Sequence, residues 1–246
     1  MKILGIIPAR FASTRFPGKP LAMIGGKSMI ERVYHQATLA KGLDAVIIAT
    51  DDERIAEHVS RFGAEVVMTS SNHPSGTDRC AEAVLKYGRG WDAVVNIQGD
   101  EPFIKPEQIN LVVDCLKEED VQIATLVKVI TEASDLTNPN NPKVILKHNG
   151  DAIYFSRQAL PYLKGKEIGE WLKHHTYYKH IGIYGYRTSV LPQLTAMPQG
   201  KLEIAESLEQ LRWLEYGINI RTKITEFETI AIDTPEDLVK AKLLLD

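Results

Sequence analysis

The stretch MKILGIIPARFASTRFPGKP, residues 1–20, decides the fold. Residues 2–7 are almost entirely apolar with no polar alternation, as a strand reads when both faces are buried in a parallel sheet. The run stops at Pro8 and passes into a loop carrying Arg10, Arg15 and Lys19, hydroxyls at Ser13 and Thr14, and a permissive backbone at Gly18. The loop at the carboxyl end of a first parallel strand is where such sheets bind ligands. Three cations on one short loop repel one another unless an anion lies among them, and a triphosphate meets that need. This is not a P-loop: Gly18-Lys19 runs into Pro20, and the glycine upstream is missing.

Beyond this loop, strand and helix signals alternate with short connections. Ser28 is placed to cap a helix whose Met29, Ile30, Val33 and Ala37 share one face. Residues 45–50 read as a second buried strand, followed by a helix capped at Asp51-Asp52 and ended by Gly63. A third strand covers 65–68. A helix then opens at Thr77, leading to a fourth strand at 93–98 and a helix after Pro106. This order predicts an α/β fold with a doubly wound, mostly parallel sheet.

The pattern changes after about Gln122. Residues 143–148 and 151–156 flank Asn149-Gly150, a strong hairpin signal. Another β-rich stretch covers 179–187. A helix is expected over 202–216, strands over 218–222 and 229–232, and a last helix from Thr234-Pro235. With no Gly/Ser/Pro linker, the expectation is one domain over 1–246. Residues 1–121 form mainly a nucleotide-binding half, 122–228 an interwoven, partly antiparallel β-rich lobe, and 229–246 return to the site.

Composition narrows the function. A formal net charge of −3 leaves no basic excess to hold nucleic acid. Cys80 and Cys115 fall within apolar helical patterns and form no CxxC pair, as expected of core residues in a reducing compartment. The first apolar run is too short for a leader and no later one is long enough to span a bilayer, so the expected location is the cytoplasm.

Two further clusters carry polar chemistry. Asn96-Ile97-Gln98-Gly99-Asp100-Glu101-Pro102 ends the fourth strand, and a carboxylate there suits Mg²⁺, which shares its shell with substrate phosphates. Asp233 is a second carboxylate after an apolar run. Taken singly, each is as well explained as a cap or turn residue. His73-Pro74-Ser75-Gly76-Thr77-Asp78-Arg79 opens a helix whose free amides and hydroxyls could read a base or ribose, or simply cap it.

With IIPARFASTRFPGKP, HPSGTDR, NIQGDEP, IYFSR, KHIGIYGYR, ESLEQLRWLEYG and IDTPEDL in order, the chain resembles the 3-deoxy-manno-octulosonate (Kdo) cytidylyltransferases, the CMP-Kdo synthetases of Gram-negative bacteria. The resemblance covers nearly the whole chain and is least clear over 163–177. It implies a transferase of the nucleotide-diphospho-sugar type, coupling CTP to an eight-carbon sugar acid for lipopolysaccharide biosynthesis. Arg10 and Lys19 would bind the triphosphate, supported by Ser13 and Arg15. Ala9 and Arg10 backbone, Gly76, Thr77, Arg79 and Gln98 would frame the cytidine. Asp100 and Asp233 would hold Mg²⁺, and with Arg10 and Lys19 they form the expected catalytic set. Arg157, His180, Tyr184, Glu209 and Gln210 would line the sugar-acid pocket, and a homodimer would form through the later β-rich part. Readings to be separated from this are another sugar acid such as 8-amino-Kdo or a sialic acid, a glycosyltransferase, and a non-catalytic nucleotide sensor.

Overall fold

The expected first strand is present as β1 (Ile3–Ala9), nearly all buried. In the computed structural model, which describes residues 1–13, 15–228 and 230–243, it lies near the middle of a mixed sheet. Thr14 and Thr229 lie outside the described residues. After β1 a 3₁₀ turn (Lys19–Leu21) leads into a small ribbon, β2 (Met23–Ile24) and β3 (Lys27–Ser28). Then follow α1 (Met29–Thr38), β4 (Ala45–Thr50), α2 (Glu53–Arg61), β5 (Glu65–Met68), α3 (Gly76–Tyr87), β6 (Ala93–Asn96) and α4 (Pro106–Leu116). The later part holds β7 (Ile123–Val129), α5 (Ala133–Thr137), β8 (Lys143–Leu146), β9 (Ala152–Ser156), α6 (Trp171–His174) and β10 (Tyr178–Arg187). The chain ends with α7 (Leu191–Ala196), α8 (Lys201–Glu206), α9 (Gln210–Glu215), β11 (Ile220–Ile224) and α10 (Pro235–Lys242).

Local chemistry sets the helix starts. Ser28 accepts from the Glu31 amide and Asp52 from the Arg54 amide, both as expected of caps. The start of α3 differs from expectation. Ser75 is the cap, accepting from the Asp78 amide at 3.2 Å and donating to the Asp78 carboxylate at 2.6 Å. Thr77 therefore lies inside the helix with its hydroxyl free for other work.

The main sheet runs β11-β7-β10-β6-β1-β4-β5. Pairs β1–β4, β1–β6, β4–β5 and β7–β11 are parallel, whereas β10 lies antiparallel to both β6 and β7. The hairpin expected around Asn149-Gly150 forms between β8 and β9, and β8 joins β10. Helices cover both faces. Ile30, Val33, Ile55, Val59, Ile109 and Val112 pack on one. On the other lie Ala83, Val84, Leu191, Leu194, Leu211 and Trp213. Cys80 and Cys115 are buried and unpaired, and burial raises both thiol pKa values.

Three expected elements are corrected. The single helix over 202–216 is broken into α8 and α9 by Ser207, which takes a left-handed backbone at φ 51°. The break is made by tertiary contacts. The Glu206 carboxylate accepts from Ser156 Oγ and the Arg157 amide, and the Arg157 guanidinium takes the freed Glu206 and Ser207 carbonyls. The strand expected over 218–222 lies at Ile220–Ile224, where its register to β7 places it. No strand is assigned over 230–232: the Ile232 amide makes one bond to the Asp100 carbonyl, without a ladder.

Candidate nucleotide-binding active site

A cleft of about 330 Å³ opens at the carboxyl ends of β1 and β6. Its wall combines the three sequence clusters: Ala9, Arg10, Ser13, Arg15 and Lys19 from the first loop, His73–Gly76 and Arg79 from the start of α3, and Gln98–Asp100 after β6. Asp233 joins them from the segment before α10. The strand ends come this close because Gly99 has no side chain; a Cβ there would sit 2.7 Å from the Pro8 carbonyl oxygen.

The first loop is folded around Phe11. Its carbonyl accepts from the Ser13 and Gly18 amides at 3.0 and 2.9 Å. Gly18 adopts φ +70°, and a Cβ added to it would crowd the Phe11 ring at 3.1 Å, so both the backbone and the packing favour glycine. The outer face of the ring carries Arg54, whose guanidinium lies 3.3 Å from the ring centroid and is held by both oxygens of Asp52. Phe11 and Arg54 thus brace the loop from outside the cleft, a role that sequence reading missed.

The charges converge on one point. Lys19 Nζ donates to Asp100 Oδ2 at 2.7 Å and to Asp233 Oδ1 at 3.2 Å. Arg15 approaches the same Asp233 oxygen at 3.2 Å. Two carboxylates that sequence alone could not bring together therefore aim at a single cationic position. Arg10 is exposed on the cleft wall. Arg79, by contrast, is buried, donating to Thr69 Oγ1 at 2.6 Å and pairing with Asp51 at 3.5 Å. Gln98 donates to the Gly182 carbonyl at 2.9 Å, tying the end of β6 to the irregular centre of β10.

A second group lies deeper. Thr77 Oγ1 donates to Glu209 Oε2 at 3.1 Å and lies 3.2 Å from Tyr186 Oη. Burial raises the Glu209 pKa above the usual carboxylate range. Tyr184 stacks on Tyr186 and meets Trp213 edge-on, with ring centroids 6.0 and 5.3 Å away. Among the described residues, Tyr184 Oη, Gln210 Nε2 and Asn96 Oδ1 are buried without a hydrogen-bond partner. Such orphaned groups are costly, and a polar ligand would relieve the cost.

His180 is half-buried beside Tyr184, and desolvation lowers its pKa to about 3. Thr125 Oγ1 donates its proton to the Ile183 carbonyl at 2.7 Å, so it accepts from His180 Nε2–H at 3.0 Å. The neutral ring is left with Nδ1 as an acceptor. Arg157 is committed to the carbonyls of Pro139, Glu206 and Ser207. Tyr186 is a second omission from the sequence reading. It shares the strand face of Tyr184, two residues away, and that alternation was the available signal.

Residues 4–224 match the cytidylyltransferase family. A 3-deoxy-manno-octulosonate cytidylyltransferase from Parabacteroides distasonis is 59% identical, the alignment covering 100% of this chain and 98% of that protein. One from Bacteroides thetaiotaomicron is 58% identical over the same shares. Among solved structures, CMP:2-keto-3-deoxy-manno-octonic acid synthetase complexed with CTP superimposes with a TM-score of 0.91 at 39% identity, covering 100% of this chain and 98% of that one. A cytidylyltransferase from Leptospira borgpetersenii, 19% identical with a TM-score of 0.64, shares the fold.

Proposed function

The chain belongs to the 3-deoxy-manno-octulosonate cytidylyltransferase family, and from that premise we propose that it joins CTP to Kdo, forming CMP-Kdo and pyrophosphate for lipopolysaccharide synthesis. The observation that carries this reading is the convergence of Lys19, Arg15, Asp100 and Asp233 in a cleft whose wall also holds Gly76, Arg79 and Gln98. Cations suited to phosphates and groups suited to a nucleoside thereby share one cleft.

In the reaction, the anomeric hydroxyl oxygen of the sugar acid bonds to the α-phosphorus while the bond from that phosphorus to the bridging oxygen of pyrophosphate breaks. Such transfer asks little covalent chemistry of the protein, so positioning and charge neutralisation dominate. Arg10 and Lys19, supported by Ser13 and Arg15, hold the triphosphate and offset charge gathering on the leaving pyrophosphate. The backbone of Ala9 and Arg10, with Gly76, Thr77, Arg79 and Gln98, frames the cytidine. Arg157, His180, Tyr184, Glu209 and Gln210 line the pocket for the sugar acid, where Tyr184 Oη and Gln210 Nε2 would gain partners. On this reading residues 1–121 serve mainly CTP, 122–228 the sugar acid and subunit pairing, and 229–246 bring Asp233 to the metal.

Asp100 and Asp233 fit a divalent cation. Their oxygens already share one cationic partner, Lys19 Nζ, and hard oxygen donors suit Mg²⁺. Bound there, Mg²⁺ would neutralise phosphate charge and polarise the α-phosphate. No helix among the described residues is long and apolar enough to cross a membrane, which accords with the proposed work in the cytoplasm. Exposed Ile153, Tyr162 and Ile168 on the later part support pairing of two copies there, which sedimentation across a concentration series would test.

The deciding experiment is pyrophosphate release with CTP and Mg²⁺ against Kdo, 8-amino-Kdo and a sialic acid, with UTP and ATP as controls. Release with CTP and Kdo, and little with the others, is expected. Preference for 8-amino-Kdo or a sialic acid would reassign the sugar. CTP binding without release with any acid would favour a sensor.

A further inference from the structure

We infer that His73, aimed by Glu82, reads a ribose hydroxyl of the nucleotide and so gives the enzyme its preference for ribo- over deoxyribonucleotides. The inference rests on the cytidylyl-transfer reading above. His73 lines the cleft from the segment that opens α3, immediately before Pro74, Ser75 and Gly76, whereas Lys19, Asp100 and Asp233 line it from other segments. A nucleotide whose phosphates lie on that cluster places its sugar and base toward the start of α3.

The ring is held from behind. His73 Nε2 contacts Glu82 Oε2. Glu82 is fixed in turn by Lys86 Nζ at 2.7 Å and by the Ser70 amide at 2.8 Å. The Lys86 contact and the backbone hydrogen bond lower the Glu82 carboxyl pKa to about 2, so the carboxylate is ionised and can only accept. His73 Nε2 must therefore carry the proton of that bond. In a neutral ring this leaves Nδ1 with a lone pair, and Nδ1 has no hydrogen-bond partner among the described residues.

An acceptor on the wall of a nucleotide cleft needs a donor on the ligand. The phosphates only accept, whereas the ribose 2′ and 3′ hydroxyls can donate, as can the cytosine amine, which the UTP arm below separates. The neighbouring side chains do not compete for that donor: Arg79 carries only donors itself, and Asp78 accepts from Ser75. Glu82 is accordingly a positioning residue and His73 a contact that determines specificity.

The test measures kcat/KM at pH 8 with Kdo for CTP, 2′-deoxy-CTP, 3′-deoxy-CTP and UTP, with a thermal melt of each variant. His73→Phe keeps a ring but no acceptor. It should lower the preference for CTP over one of the two deoxynucleotides about tenfold, the worth of one hydrogen bond, with the loss falling on CTP itself. Glu82→Ala should lose most of the same preference, and Glu82→Gln, which still accepts from Nε2–H, should keep it within about twofold. An unchanged deoxynucleotide ratio in a folded His73→Phe enzyme overturns the inference, as does an equal loss for every nucleotide, which would mean a phosphate contact. A relaxed choice between CTP and UTP would mean that His73 reads the base and overturns it too. Wild-type turnover with CTP and Kdo is measured in the same series, so failure of the reaction itself would be seen separately.

Discussion

The charged cleft and the buried polar group around Tyr184, outside its lining, are built on opposite principles. In the charged cleft Lys19 is shared by Asp100 and Asp233 and Arg15 leans on Asp233, while Arg10 stays exposed on the wall. In the buried group, around Tyr184, Gln210 and Asn96, polar atoms lack partners. A ligand in the first exchanges one set of ion pairs for another, so its net gain is modest relative to the gross charge involved. A ligand in the second completes hydrogen bonds that the protein leaves unmade, which favours selectivity because a wrong ligand leaves them unmade still. On the proposed reading, charge holds the triphosphate and unsatisfied polarity selects the sugar acid.

The largest effect should come from the charged cleft. Asp100→Asn and Lys19→Ala should each lower turnover by about 10²- to 10³-fold at saturating Mg²⁺ while the melting temperature stays near that of the parent. Near-normal turnover of Asp100→Asn would remove the metal assignment. A loss of thermal stability in Lys19→Ala with normal specific activity would make the loop a structural feature.

In the buried group Tyr184→Phe deletes an orphaned hydroxyl. Stability should rise by about 1 kcal/mol, or about 2–4 °C in melting temperature, while KM for the sugar acid increases about tenfold. A variant that melts lower and keeps its KM would show that the hydroxyl has a partner of another kind.

His180 gives the comparison a dependence on pH. Its pKa falls from 6.5 in the unfolded chain to about 3 in the fold, so below 6.5 the unfolded chain takes up a proton that the folded protein refuses. Stability contributed by the neutral ring is thus present above pH 6.5 and is lost as pH falls toward 3, by at most about 1.4 kcal/mol per pH unit. Urea titrations of His180→Gln should show a flatter slope in this window than the parent. The smallest effect is expected for Arg54→Ala. Losing an exposed cation–π contact behind Phe11 should raise KM for CTP about two- to fivefold and spare kcat. A kcat that fell with it would place the brace closer to the chemistry.

What was legible in the sequence was what local patterns determine. The buried run of β1, the caps at Ser28, Asp52 and Thr234, and the hairpin at Asn149-Gly150 are all decided within a few residues. The break between α8 and α9 was not, because it is enforced by Ser156 and Arg157, about fifty positions away. The cap lies at Ser75, two residues before the expected Thr77: Thr77 has the right chemistry, and only its bonds to Glu209 and Tyr186 show it employed elsewhere. In the site, the cationic loop and its place at the end of β1 could be read from its own residues. The meeting of Asp100 with Asp233 through Lys19 could not, since Lys19 and Asp233 stand 214 positions apart. Tyr186 was missed because an aromatic residue in a β-rich run reads as core, and Phe11 because an aromatic residue in a loop gives no sign of what it packs on; the contacts of both are tertiary facts.

The antiparallel strand β10 also governs the order in which the protein can assemble. It pairs with β6 on one side and β7 on the other, yet it is made only at residues 178–187. Until then a nascent chain holds the sheet β6-β1-β4-β5 and the β8–β9 hairpin, while β7 waits unpaired because its other neighbour, β11, is made later still; the bare edges of β6 and β7 are open to any passing strand. These parts meet only when this late ribbon closes the seam, so folding waits on a contact between distant parts of the chain and is correspondingly slow. A polypeptide cut short before residue 178 would keep both edges open, and it should collect as aggregate where the complete chain stays in solution.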